Sequence, residues 1–255
     1  MLVLFFAAML ALSGAAPAHA AAPVKIVISP WCPYICTDDK ARPGVLVEIT
    51  TAAFASQHAA VNFVDLPWQR QLMSTRDGSA DAILGISRSD APDLLFPRRP
   101  TGNFIPCFFV PLSSTWKYGG VNSLRNIRLS VLKGENFNKD VDAYLNGEGA
   151  HNGRVDFLSS ESYLTQHFQK LAAGRADAVL EEARIAQNYL RSSHQSGRFK
   201  LAGCLDATPI WIAFTPSGSS GTAAMAVFEQ GLDEIQKSGQ LKAILEKYGL
   251  DQKSF

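Results

Sequence analysis

The sequence carries almost no net charge: 24 lysines and arginines stand against 23 aspartates and glutamates, leaving +1 over 255 residues. Without a basic surplus there is no long-range field to hold nucleic acid or an acidic membrane surface. Cysteine and histidine are scarce, at four and five residues. Cys32 and Cys36 stand four apart, Cys107 and Cys204 are isolated, and His58, His151, His167 and His194 are scattered. None of this has the paired spacing of a metal site. The chain also lacks a G-x-S-x-G elbow and a phosphate-binding loop, so it signals neither a hydrolase nucleophile nor nucleotide chemistry. No metal or other cofactor is called for, and nothing marks the chain as an enzyme.

Long apolar runs are missing too, except at the start. The opening MLVLFFAAMLALSGAAPAHA is apolar, ends in Ala18-His19-Ala20, and is broken by Gly14 and Pro17. A short apolar run before an A-x-A step is the pattern of a secretory signal peptide, and it is too short for a confident membrane span. No lysine or arginine precedes it and no cysteine sits at the cleavage step, so the leading segment is weak and a lipid anchor is not suggested. Residues 1–21 are read as a signal segment, with the mature protein soluble and exported.

What is present is an alternation of short apolar strands and amphipathic helices. VKIVIS (24–29), VNFVDL (61–66) and ADAILGIS (80–87) read as strands; 44–58 and 68–78 read as helices, the first with Val47, Thr50, Thr51 and Phe54 along one face. This β-α-β-α-β order argues for a parallel sheet with helices on its faces. Residues 91–111 then carry several prolines and no helical period, and NFIPCFFV reads as an extended connector. The alternation restarts: IRLSVLKG (127–134), RVDFLSS (154–160) and ADAVLEE (176–182) as strands with helices between them, then FKLAGC and PIWIAFTP, then two closing helices. Two α/β lobes joined by two connectors would form a hinge that closes on a ligand. A single doubly wound sheet fits the same periodicity.

These segments, taken in order, resemble the type II periplasmic solute-binding proteins, family 3, which deliver polar amino acids and related solutes to ABC transporters. SPWCPY followed by DDKARPGVLVEI is similar to the family's opening loop, glycine and first helix. VNFVDLPWQRQL, GSADAILGIS, LKGENF and GRADAVLEE follow in the family's order, and the tail FEQGLDEIQKSGQLKAILEKYGL is the nearest match. The resemblance implies a two-lobed α/β fold of the type II class, with lobe one at 22–104 plus 213–255 and lobe two at 105–212. It implies a periplasmic monomer that captures a small polar solute and hands it to an ABC-transporter permease. A sensing accessory of a membrane receptor and a dehydratase-type cleft enzyme are the alternatives.

The departures bear on the ligand. Amino-acid binders of the family carry Thr-Pro-Glu-Arg after the GIS-like turn, and that arginine grips the α-carboxylate. Here the segment is GISRSDAPDLLFP: Pro92 falls near the arginine's place, and Arg88 is close but out of register. The acid that meets an α-ammonium, normally Asp, is replaced by Glu182 beside Glu181. These departures count against a standard α-amino acid.

Candidate ligand-binding residues follow from strand ends, because ligands of open α/β sheets lie beyond the carboxyl ends of the strands. They are Trp31 and Tyr34 after the first strand, Trp68 after the second, and Ser87 and Arg88 after the third. In lobe two they are Lys133 and Asn136, in a turn with Gly134 and Glu135, and Glu182. Aromatics there offer stacking, an arginine offers a carboxylate fork, and the turn offers free N–H groups at a helix start. Each also has an ordinary role: Trp31 as core, Arg88 as a surface residue, the turn as a simple connection. Neighbouring strand residues point to opposite faces, so Glu182 is a single ligand acid rather than half of a catalytic pair.

Four cysteines in an exported chain allow three disulfide connectivities. A Cys-x3-Cys pair closes only where the chain curls enough to bring its Cα atoms within roughly 4.4–6.8 Å, and Pro33 with the TDD after Cys36 favours such a curl. A Cys32–Cys36 bridge is predicted, stiffening the loop that presents Trp31 and Tyr34. The remaining Cys107–Cys204 bridge would tie the two connectors together where they enter lobe two.

Overall fold

The computed structural model describes residues 22–250, apart from residue 161; the signal segment expected at 1–21 lies outside them. The first β-α-β-α-β run forms as read: β1 (Val24–Ile28), α1 (Val45–Ser56), β2 (Val61–Asp65), α2 (Trp68–Asp77) and β3 (Ala82–Ile86). Pro67 precedes α2, and Gly78 ends it in the left-handed conformation at φ 82°, as a glycine at a helix C-terminus allows. The connector carries two strands, β4 (Gly102–Phe104) and β5 (Pro106–Pro111).

The second run comprises β6 (Leu129–Leu132), α3 (Lys139–Asn146), α4 (Glu148–His151), β7 (Val155–Leu158), α5 (Tyr163–Ala172), β8 (Ala178–Glu182) and α6 (Ala183–Ser192). Then come β9 (Phe199–Cys204), β10 (Thr208–Phe214), α7 (Ser220–Lys237) and α8 (Gln240–Lys247). The one-turn α4 and a 3-10 segment at Val121–Asn126 are too short for hydrophobic periodicity to reveal.

There are two five-stranded sheets, ordered β2-β1-β3-β10-β4 and β7-β6-β8-β5-β9. In each, three strands run parallel, and a return strand, β10 or β5, pairs antiparallel with the third. The single doubly wound sheet is thereby excluded. β10 lies in the first sheet along its whole length, so a boundary at 212/213 would cut a strand. The chain crosses between sheets at 105 and returns at 205–207.

Strand alternation divides the core. Ile26 and Ile28 pack with Leu46, Ile49, Phe54 and Phe228 on one face of the first sheet. Val27 and Ile83 pack with Leu72 and Leu94 on the other. In the second sheet Phe108 and Leu180 share one face, and Phe109, Phe168 and Val179 the opposite one. On α1, Leu46, Ile49, Thr50 and Ala53 are buried, whereas Thr51, expected on that face, is exposed. One hundred degrees per residue turns Thr51 away when its neighbour Thr50 points inward.

Candidate functional site

A cavity of about 450 Å³ opens between the strand ends of the first sheet and the turn after β6 in the second. That is within the range of small-molecule sites. The loop after β1 supplies Trp31. It is closed by paired backbone bonds, Trp31 N–H to Ile35 O at 2.8 Å and Ile35 N–H to Trp31 O at 3.0 Å, and by the Cys32–Cys36 disulfide. Gly85 on β3 underlies the ring: its φ is +82°, and a Cβ there would meet the Trp31 ring at 3.4 Å. That contact is an ordinary one; it is the left-handed backbone that favours glycine at this position.

Trp31 begins an aromatic row. Its ring lies 6.1 Å from Phe104 at 23°, and Phe104 lies 6.5 Å from Phe137 at 29°. Trp31 and Phe104 belong to the first sheet's side and Phe137 to the turn before α3, so the row spans both. Trp68 stands at the rim, 38% exposed.

The polar lining includes Ser87, Asp90, Lys133, Glu135 and Asn136. After β3 the chain turns tightly: Asp90 Oδ2 accepts from both the Ser87 N–H at 3.1 Å and the Ser87 hydroxyl at 2.6 Å. Across the cavity, Glu135 Oε2 is buried with no hydrogen-bond partner. Burial, reinforced by the charge of Glu182, pushes the Glu135 carboxyl up to about 8.

Of the residues expected at the site, Trp31, Trp68, Ser87, Lys133 and Asn136 line this one cavity. Three do not. Arg88 is carried outward by the Ser87–Asp90 turn and lies against Phe96 and Trp211, each 4.9 Å from its guanidinium carbon, donating to Pro97 O at 3.3 Å. Tyr34 and Glu182 are both fully buried and bind each other, the hydroxyl donating to Glu182 Oε1 at 2.9 Å. Glu182 also caps α6, its Oε2 accepting from the N–H groups of Arg184 at 2.7 Å and Ile185 at 2.9 Å.

Arg184 donates to Tyr34 Oη at 2.8 Å and to Asn103 O at 2.9 Å. These four residues form a polar pivot beside the crossing at 105, where Ala183 N–H meets Ile105 O at 2.9 Å. Burial raises the Glu182 carboxyl, against the pull of the Ile185 N–H, the Tyr34 hydroxyl and the Arg184 charge. Phe104, Phe137, Glu135 and Asp90 also line the cavity. Of these, only Glu135 was noted in the sequence, as a member of the turn.

Comparison with known proteins finds no matching family model and no matching curated protein. Solved structures do match. One is a histidine kinase sensor domain with similarity to periplasmic binding proteins, at 20% identity and TM-score 0.69, covering 90% of this chain and 96% of that one. Another is an ancestral arginine-binding protein bound to arginine, at 18% identity and TM-score 0.69, covering 90% and 99%. A third is ArtJ, an arginine-, lysine-, histidine-binding protein from Geobacillus stearothermophilus, at 13% identity and TM-score 0.65, covering 89% and 95%. At such identities the likeness is one of fold: this chain has the two-sheet architecture of periplasmic binding proteins.

Proposed function

We propose that this protein is exported to the periplasm, captures a small polar solute between two lobes, and delivers it as a monomer to an ABC-transporter permease. One observation carries the reading. The cavity lies between two sheets, and among the described residues the chain crosses from one to the other at 105 and 205–207, so that rotation about those crossings would open and close it. The lobes are 22–104 with 208–250, and 106–204, joined by those crossings. The neighbours whose names state amino-acid binding support a solute of that size. Purification without denaturation, followed by mass spectrometry of the released small molecules, is expected to recover one solute near equimolar amount. Trp31→Ala should abolish its retention. Retention unchanged in that variant would place the solute elsewhere.

A second reading, a sensing accessory of a membrane receptor, is favoured by the sensor-domain neighbour. Stimulation of a reconstituted permease's ATPase by the loaded protein separates the two, since only transport requires it.

A further inference from the structure

We propose that the cavity takes a solute bearing a positively charged nitrogen and no free carboxylate, held by the Glu135 carboxylate beside the Trp31–Phe104–Phe137 row. This rests on the solute-binding reading above and narrows it to organic cations such as amines, guanidines and quaternary ammonium compounds.

The first argument is the unmet acceptor. Glu135 lines the cavity, and among the described residues neither an ion pair nor a donor to its buried Oε2 engages its carboxyl. A charged N–H donor in the cavity would supply the counter-charge that this carboxyl lacks when ionised. The second is the wall. The three aromatic side chains of the row line the same space with Trp68 at its rim, and a desolvated cation over an aromatic face is attracted to it.

The third is that, among the described residues, no arginine side chain is placed to grip an anion in this cavity. The guanidinium of Arg88 is turned away between Phe96 and Trp211, and that of Arg184 is engaged in the pivot. The N–H and hydroxyl of Ser87, the donors at the end of β3, are already given to Asp90. A ligand carboxylate arriving there meets another carboxylate. Once a bound cation ionises Glu135, the lining holds two carboxylates, Asp90 and Glu135, beside Lys133.

Cation capture is therefore linked to proton release. Glu135 faces Glu181 and Glu182 at the end of β8, Tyr163 on α5, and Lys133 in its own turn. Burial, and then the charge of Glu182, keep it protonated in the empty cavity at neutral pH. A bound cation favours the ionised form, and the proton leaves to solvent.

The test is calorimetric titration of the full-length mature protein with three pairs: agmatine and arginine, cadaverine and lysine, choline and glycine betaine. In at least one pair the member without a carboxylate should bind about tenfold tighter or more, the equivalent of one charge-assisted hydrogen bond. Its affinity should rise with pH up to about 8 and level off above it. Titrations in buffers of different ionisation enthalpy should show net proton release. Glu135→Gln should lose about tenfold in affinity and the pH dependence together. If that variant does not fold, the wild-type preference within the pairs decides alone.

Tighter binding of the carboxylated member in every pair overturns the proposal, as does a folded Glu135→Gln variant with unchanged affinity. A neutral or anionic solute co-purifying and lost in Trp31→Ala overturns this proposal but leaves the solute-binding reading standing. No binding of any probe and no co-purified solute overturns both.

Discussion

The hydroxyl of Tyr34 has one proton and two acceptors within 2.9 Å, Glu182 Oε1 and the Asn103 carbonyl. Arg184 already donates to that carbonyl, so the proton serves the carboxylate, the acceptor with the greater charge. Burial, then the Glu182 charge, raises the phenol well above its usual range, so it stays a donor at any physiological pH. Tyr34→Phe leaves a buried carboxylate short of a donor and an arginine short of an acceptor. It should cost about 1–3 kcal/mol in urea denaturation, while leaving the cavity lining intact. A cost indistinguishable from zero would mean that the pivot is replaced by water.

The buried carboxyls also set a pH dependence. Glu135 and Glu181 are raised chiefly by burial from an ordinary value of 4.5, Glu135 to about 8. The folded state binds their protons more tightly than the unfolded state does. Their stabilisation is thus complete below about 4.5 and lost as pH rises, that of Glu135 by about 8. His167 acts in the opposite sense: burial lowers it from 6.5 to about 4, so its contribution is lost as pH falls through that interval. Above 6.5 only the carboxyl effect remains of the two. The Tm of the ligand-free protein should therefore fall between about pH 6.5 and 8, and Glu135→Gln should flatten that fall.

At the scale of elements, the helices of the first lobe meet at closest approach where α7 presents Gly231 to α1. A Cβ there would lie 1.9 Å from the Ala53 carbonyl oxygen, a backbone atom that cannot rotate aside. Gly231→Ala must part the two helices and should cost about 1–3 kcal/mol or more. Gly197→Ala, with nothing within 4 Å of the added methyl, should change the denaturation midpoint little.

Such elements were legible because their signals are local. The strands are short apolar runs, α2 is bounded by Pro67 and Gly78, and Asn138 caps α3 by accepting from Val141 N–H at 2.9 Å. The cavity was legible only as far as strand ends go. Trp31, Trp68, Ser87, Lys133 and Asn136 follow strands and line it. Direction was not legible: a single turn closed by Asp90 sends Arg88 outward, and a helix cap draws Glu182 inward. Phe104 and Phe137 meet across two sheets, a proximity that no local pattern encodes.

At the scale of the whole molecule, the two crossings are not independent. Cys107 and Cys204 pair across β5 and β9 and are disulfide-bonded, and Leu205 N–H meets Pro106 O at 2.8 Å beside them. Both connectors therefore leave the second sheet from one fixed point. The bond also closes a loop of 97 residues' separation. Loop-closure entropy for that length reaches about 4.7 kcal/mol, with about 2–4 kcal/mol usual in practice.

The Cys32–Cys36 loop, separated by four residues, is worth only about 2 kcal/mol by the same reasoning. The paired serine variants should separate these roles. Cys107→Ser with Cys204→Ser should lower the unfolding free energy more than the other pair does. It should also broaden the ligand-free distance distribution in small-angle scattering while leaving the ligand-bound one unchanged. Cys32→Ser with Cys36→Ser should instead weaken ligand binding at nearly unchanged shape, because it loosens Trp31 and not the crossings. If breaking the Cys107–Cys204 bond left the ligand-free shape as narrow as before, the pivot of Tyr34, Glu182 and Arg184 would be holding the lobes in register by itself.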